Sequence, residues 1–418
     1  MKAVIAIPEL GGLVSEQQAT EMLMRPVAGV PLLARTILTG ARAGASDVLL
    51  VAPVAISDRL LQKIVEKISQ PGLRIEVLQI SDFDPQAYSS WIILKQHLKD
   101  EFLWLPWNWI ATKNSLSQLP LVGIESVDWN KPAYTTLIEK YRVATSSAQP
   151  EGSVGGVAVS SPESAAAAER FLVANSGKVS DGIHTSFNRR LCRPFVRLLS
   201  HTPVTPNAIT FGGVVVSILS AMAFAHGTYL WSVLGALLFY IAGLFDEMDG
   251  MLARIKFVES PIGTYLEGTA DGLSYLLLFG GITMGLNREY GHIAIWMGIA
   301  LLVGSVLALV TTTLQRRRAT TPDRPNEYLG RFYQLLEKDS GNWISRVVRQ
   351  VQGFQRRGIL IHYIVIFTIL NLVPFVFLLA TIGAHLTWVL TLYFNRRFFS
   401  HSSRSEVKPT ASKLKEAL

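Results

Sequence analysis

Two hydrophobic patterns divide the chain. Up to about residue 178, short apolar runs alternate with amphipathic stretches: "AVIAI" near the start, the helix-like "PLLARTILTGARAGA", then "DVLLVA". Short apolar runs bounded by turn formers read as strands, and their alternation with helices predicts a parallel sheet covered by helices. "RIEVLQI", "FLWLPW" and "GGVAVS" continue the alternation, and "PESAAAAERFLVA" reads as a helix. The small, polar stretch "NSGKVSDG" then marks a boundary.

From residue 206 the pattern changes to apolar segments near 207–226, 229–245, 264–286, 293–314, 359–382 and 384–395. Measured against the roughly 20 residues a bilayer core requires, the second and last are short. The expected architecture is an α/β soluble domain over 1–178, a linker and juxtamembrane helix over 179–205, an all-α membrane domain of six transmembrane helices over 206–400, and a basic tail over 401–418. The juxtamembrane stretch "TSFNRRLCRPFVRLLSH" mixes Arg with Leu, Phe and Val, as a helix lying among lipid headgroups does.

Charge sharpens the topology. The 418 residues are 49% apolar and 17% charged, with a net charge of +8. A cytoplasmic N-terminus places the connections around 246–263 and 315–358, and the tail beyond 395, on the cytoplasmic side. The segment from Gln315 to Gly358 alone holds ten Lys or Arg against four acids, whereas the opposite loops hold only Arg288. This positive-inside sorting explains the basic balance without nucleic acid. The opening "MKAVIAIPELGG" lacks the long apolar core of a signal peptide, so both termini are expected in the cytoplasm of a multi-pass protein of the inner or plasma membrane. A single cysteine, Cys192, excludes an intrachain disulfide and a cysteine-cluster metal site.

The stretch "FDEMDGMLARIKFVESPIGTYLEGTADGLSYLLLFGG" sets Asp246, Asp249, Glu267 and Asp271 at the cytoplasmic ends of the second and third spans. On helices, residues three or four apart share a face, so Asp246 aligns with Asp249 and Glu267 with Asp271. A carboxylate deep in a bilayer costs about 2.5–3.5 kcal/mol on insertion scales, so four together require cations. Magnesium or manganese suits them, because hard ions prefer carboxylate oxygen and keep substrate phosphates in their shell. The competing reading is a set of ion pairs with Arg254 and Lys256, two bases against four acids. Gly250, Ala253, Gly263 and Gly268 leave room for a phosphate or for close helix contact.

The ordered set "DEMDGMLAR", eight residues, Gly263, three residues, Glu267, three residues, Asp271 resembles the signature of the CDP-alcohol phosphatidyltransferase family, and "TPNAIT" resembles its entry into the first span. The resemblance covers about residues 180–400. It implies six membrane helices and transfer of a phosphoalcohol or phosphatidyl group from a CDP-linked donor, of the CDP-diacylglycerol or CDP-inositol type, to a polar or phosphorylated alcohol, releasing CMP. By position it implies that Asp246, Asp249, Glu267 and Asp271 bind two divalent ions, with Asp271 also the general base. The resemblance likewise implies that Gly250, Ala253, Arg254 and Gly263 cradle the CDP, with Asn207 nearby. It further implies a homodimer. Glu267 departs from the motif, which has Asp there. Arg316, Arg317 and Arg318 either hold a phosphate or belong to an ordinary positive-inside loop.

The N-terminal half resembles a Rossmann-like nucleotidyltransferase, and the fusion is similar to bifunctional inositol-phosphate cytidylyltransferase and di-myo-inositol phosphate phosphate synthase. In "IPELGGLVSEQQATEMLMRPVAG" the loop after the first strand has only Gly11 and Gly12, and Arg25 stands where such enzymes have lysine. "FLWLPWNWIA" lacks their metal-binding aspartate, with Asn108 at the equivalent place. A catalytically inactive domain is expected. The alternatives for the whole chain are a silent scaffold or nucleotide-binding regulator and, because intramembrane acids also mark transport paths, a transporter.

Overall fold

The computed structural model describes residues 1–7, 16–68, 70, 72–81, 93–94, 96–98, 102–111, 121–122, 156–177, 183–319, 327–339, 341–351 and 357–398. The chain divides into two compact units. The first comprises Met1–Asp181, Arg189–Pro206 and Glu247–Pro261, and the second Gly182–Asn188, Asn207–Asp246 and Ile262–Leu418.

The first unit begins with β1 (Lys2–Ala6) and α1 (Glu16–Leu23), followed by the hairpin strands β2 (Pro26–Val27) and β3 (Val30–Pro31). Next come α2 (Leu32–Arg42), β4 (Asp47–Pro53), α3 (Asp58–Glu66), β5 (Arg74–Ile80) and β6 (Phe102–Pro106). Strands β7 (Trp109–Ala111), β8 (Leu121–Val122) and β9 (Gly156–Ala158) lead to α4 (Pro162–Ala174). The main sheet has the order β5-β4-β1-β6-β8. β1 is central and parallel to both neighbours, with Ile5 opposite Leu50 on one side and Leu105 on the other. Ala3 to Ile7 and Val48 to Ala52 are buried throughout, which is why these stretches of the strands are continuously apolar rather than alternating.

The β2–β3 hairpin turns on Ala28 (φ 48°) and Gly29 (φ 77°), the two positive-φ positions of a tight primed turn. Arg35, 1% exposed, holds it from beneath by donating to the Val27 carbonyl at 2.8 and 3.1 Å. Burial, and then the neighbouring Arg42 charge, pushes the Arg35 guanidinium down to about 9. Ser161 caps α4 in a reciprocal pair with Ser164, and Pro162 occupies the first turn.

Helix α5 (Ile183–Ser200) passes from the second unit into the first. Asn188, Cys192 and Val196 are buried, while Phe187, Leu191, Phe195 and Leu198 form an exposed apolar stripe.

The remaining helices are α6 (Pro206–His226), α7 (Tyr229–Lys256), α8 (Pro261–Tyr290), α9 (His292–Ala319), α10 (Glu327–Lys338), α11 (Trp343–Val351), α12 (Arg357–Ile369) and α13 (Val373–Phe398). Among the described residues, four segments are long and apolar enough to cross a membrane: Pro206–His226, Tyr229–Lys256, His292–Gln315 and Val373–Phe398. The chain is therefore read as an integral membrane protein, its bundle carrying an outer belt of exposed aliphatic side chains such as Leu230, Ile299, Leu309 and Leu378.

Within the second unit, α6, α7, α8, α9, α12 and α13 enclose a core around Phe224, Phe239, Leu278, Leu301, Ile364 and Phe377. Glycine sets the closest approach. A Cβ on Gly281 would lie 2.3 Å from the Ala221 carbonyl oxygen, and one on Gly285 2.2 Å from that of Phe224, so α6 and α8 cross backbone to backbone. Ser217 and Ser274 link the same helices at 3.0 Å.

The apolar stretch expected to run unbroken over 359–382 is interrupted. Asn371 takes a left-handed conformation (φ 58°), Leu372 N–H reaches back to the Phe367 carbonyl at 2.7 Å, and Pro374 opens the next helix. This is a Schellman closure followed by a proline start, and it places the helix break at 370–372.

Candidate active site

Asp246, Asp249, Gly250, Ala253 and Arg254 all lie on the C-terminal half of α7, which is an unbroken helix across the motif. The i, i+3 spacing sets Asp246 and Asp249 on one face. Asp249 is only 4% exposed, and Asp246 is partly buried. Gly250 lies one turn before Arg254, and a Cβ there would come within 3.3 Å of the guanidinium. The glycine thus gives Arg254 space to lie back along its own helix.

Several groups of the first unit hold this end of α7. The Arg189 side chain of α5 meets Glu247, which sits between the two aspartates, at 2.8 Å. Arg254 Nε donates to the Ser176 carbonyl at 2.6 Å. Lys256 Nζ donates to the carbonyls of Thr202 (2.7 Å) and Val204 (3.1 Å). Its ammonium is thus engaged with backbone, which weakens the ion-pair reading of the carboxylates.

The helix stops at Phe257 in the left-handed region (φ 59°), a conformation that costs an L-residue roughly 1–2 kcal/mol. Its ring lies beneath the guanidinium carbons of Arg42, at 4.2 Å, and Arg35, at 5.2 Å. Val258 N–H closes back on the Ala253 carbonyl at 3.1 Å, and Arg42 Nη1 donates to the Arg254 carbonyl at 3.1 Å. Carbonyls left over at the helix end are thus satisfied, and a cation stands at the negative end of its dipole. Arg42 also pairs with Glu259.

Gly263, Glu267 and Asp271 lie on α8, with the two acids one turn apart and both partly exposed. Asn207 is exposed in the first turn of α6. Arg316, Arg317 and Arg318 end α9, their side chains outside the described residues, as are Gly11 and Gly12.

The donor set is all oxygen, without His or Cys, as a hard divalent ion requires. Among the described residues, no group of three or more His, Cys, Asp or Glu is gathered tightly enough to hold an ion. The carboxylates stand as two helix-borne pairs whose chemistry fits magnesium or manganese.

In the α/β unit, Asn108 is occupied structurally: its side-chain amide Nδ2 donates to the Val159 carbonyl at 3.1 Å, and its backbone carbonyl accepts from Val159 N–H at 2.8 Å. Arg25 approaches Glu21 at 3.5 Å. Sequence reasoning missed Arg42, Phe257, Glu259 and Arg189 as neighbours of the motif, because pairings more than fifty residues apart leave no local pattern.

Fold and motif together define a helical membrane domain with a carboxylate-bearing signature on two consecutive helices. Residues 203–393 match the CDP-alcohol phosphatidyltransferase family, so the chain carries a domain of that family in its C-terminal region.

A bifunctional IPC transferase and DIPP synthase of Aquifex aeolicus is 26% identical over 237 residues, 56% of this chain and 49% of the relative. A ceramide phosphoethanolamine synthase of Drosophila melanogaster is 37% identical over 95 residues, 21% of this chain and 24% of the relative. A phosphatidylinositol phosphate synthase of Mycobacteroides abscessus is 23% identical over 124 residues, 29% of this chain and 52% of the relative. The chain spans about half the length of the first and third and a quarter of the second. The first alignment is longer than the matched family region and so extends beyond it, consistent with a fused N-terminal part.

Proposed function

We propose that this protein is a membrane-embedded CDP-alcohol phosphotransferase, moving a phosphoalcohol or phosphatidyl group from a CDP-linked donor to an acceptor hydroxyl with release of CMP. The observation that carries the reading is the D-x-x-D-G-x-x-A-R helix followed, at family spacing, by Gly263, Glu267 and Asp271 inside a domain matched to that family.

In this reading Asp246, Asp249, Glu267 and Asp271 hold magnesium or manganese, two ions in all. The bound cation supplies neutralisation of the pyrophosphate charge. Gly250, Ala253, Gly263 and Asn207 admit the CDP, and Arg254 offers its planar fork to a phosphate. Asp271 takes the proton of the acceptor hydroxyl as its oxygen attacks phosphorus. The new P–O bond forms as the bond to CMP breaks, and CMP leaves with that electron pair.

Six helices, α6 to α9 with α12 and α13, serve as the spans. α5 lies in the headgroup layer on its Phe187, Leu191, Phe195 and Leu198 stripe, and both termini are cytoplasmic. The relative named for phosphatidylinositol phosphate supports a phosphorylated polyol as acceptor. The α/β unit is a nucleotidyltransferase-like domain without turnover, a reading supported by the structural use of Asn108.

The test is CMP release by the purified protein in lipid with magnesium or manganese, comparing CDP-diacylglycerol and CDP-inositol across a panel of polyol, polyol-phosphate and amino-alcohol acceptors. Acceptor-dependent CMP formation, lost in Asp271→Asn, is expected. No release with any pair, while CDP still binds, would favour a silent scaffold instead.

A further inference from the structure

The α/β unit carries the residues that close the end of the motif helix. Glu247–Pro261 belongs to that unit, so Asp249, Gly250, Ala253 and Arg254 are packed with the sheet domain although they lie in a helix read as membrane-spanning. Arg42, the last residue of α2, makes three contacts there: it donates to the Arg254 carbonyl, pairs with Glu259, and covers the left-handed Phe257. A helix end is normally capped by its own following residues or by water. Here a side chain 212 positions away in sequence does part of the work.

We propose that Arg42 is a positioning residue for the transferase site. By fixing the last turn of α7 it sets where Gly250, Ala253 and Arg254 stand toward the nucleotide, and it gives the α/β unit a role that needs no chemistry of its own. The inference rests on the transferase reading. It assigns to Arg42, through its hold on the end of α7, control over the site's affinity for CDP. Lysine is a poor substitute, because one ammonium cannot serve a carbonyl and a carboxylate in fixed fork geometry while stacking on a ring.

The experiment uses the full chain in lipid nanodiscs and compares it with Arg42→Ala, Arg42→Lys and Glu259→Gln. CDP affinity with magnesium is measured by calorimetry, and hydrogen exchange is followed over 247–261, with β4 amides as the control for global folding. In Arg42→Ala the Val258 amide is expected to lose protection while β4 keeps it, and CDP binding is expected to weaken about tenfold. Arg42→Lys and Glu259→Gln should fall between that variant and the parent.

Unchanged exchange in Arg42→Ala would overturn the clamp. Faster exchange with unchanged CDP affinity would overturn the positioning role and leave a purely structural contact. A parent protein that binds no CDP would refute the transferase reading itself, a result separable from either of these.

Discussion

Arg189 Nε lies 2.8 Å from Glu247 Oε2, with the two side chains 12% and 16% exposed. Both groups are largely withdrawn from water, so removing one leaves the other charged without its partner. Such losses exceed the net worth of the pair, reaching 3–5 kcal/mol for fully buried pairs, so about 1–3 kcal/mol is expected for Arg189→Ala at this partly shielded site. Thermal melts of Arg189→Ala, Glu247→Gln and the double variant check this, with the double variant less destabilised than the two single losses added together.

Neighbouring glycines on α8 should respond oppositely. Gly281→Ala drives a methyl into the Ala221 carbonyl and is expected to cost at least the ~1–3 kcal/mol typical of overpacking. Among the described residues nothing lies within 4 Å of a Cβ added at Gly280, so Gly280→Ala should be neutral or stabilise the helix by about 0.5–1 kcal/mol. Melts of the two single variants in the same detergent decide between them.

Cys192 should be chemically quiet. Burial, then the Glu247 charge, pushes its thiol up to about 12. Maleimide labelling at pH 8 is expected only after unfolding, since the thiolate is the nucleophile. An exposed thiol ionises near 8.5, so the unfolded chain releases this proton first. Stability from this group therefore falls as pH rises from about 8.5 toward 12.

Asp339 holds Arg397 through two 2.7 Å bonds and accepts from Ser345 at 2.6 Å, fixing the end of α10 and the first turn of α11 to the end of α13. Arg397 first, then Ser345, keeps this carboxyl well below the usual carboxylate range. Its contribution is present above the unfolded value near 3.9 and is lost as pH falls through the lower folded value. The melting gap between the parent and Asp339→Asn should be full at pH 6 and narrow below about pH 4.

Glu267 tests the tolerance of the proposed metal set. Glu267→Asp keeps the charge and should retain CMP release within about tenfold, whereas Glu267→Gln removes it and should lose roughly 100-fold or more. Initial rates at saturating magnesium separate the two outcomes.

The inner strands β1, β4 and β6 were legible because burial on both faces gives each a continuous apolar core, as in "AVIAI" and the "VLLVA" of β4, whereas the edge strand β5 ("RIEVLQI") keeps polar residues on its exposed side. The carboxylate motif was legible as spacing, since acids three and four apart in apolar helices stand out. The break at 370–372 was not: Asn371 interrupts the helix through its backbone conformation, while leucines on either side keep the local hydropathy high. Helices α10 and α11 were hidden in a segment that looked like a basic connection. The closure of α7 by Arg42 was also illegible, because nothing near position 42 indicates a partner at 254.

The inclusion of Glu247–Pro261 in the first unit has a consequence for biosynthesis. A ribosome delivers the sheet strands long before it delivers Phe257 and Glu259, and between them come α6 and most of α7. The sheet can assemble early, but the surface around Arg35 and Arg42 stays open until the nascent chain has threaded its first two apolar helices into the bilayer. Maturation of the first unit therefore waits on the synthesis of α7, and a chain stalled before α7 would present that unfinished surface to chaperones.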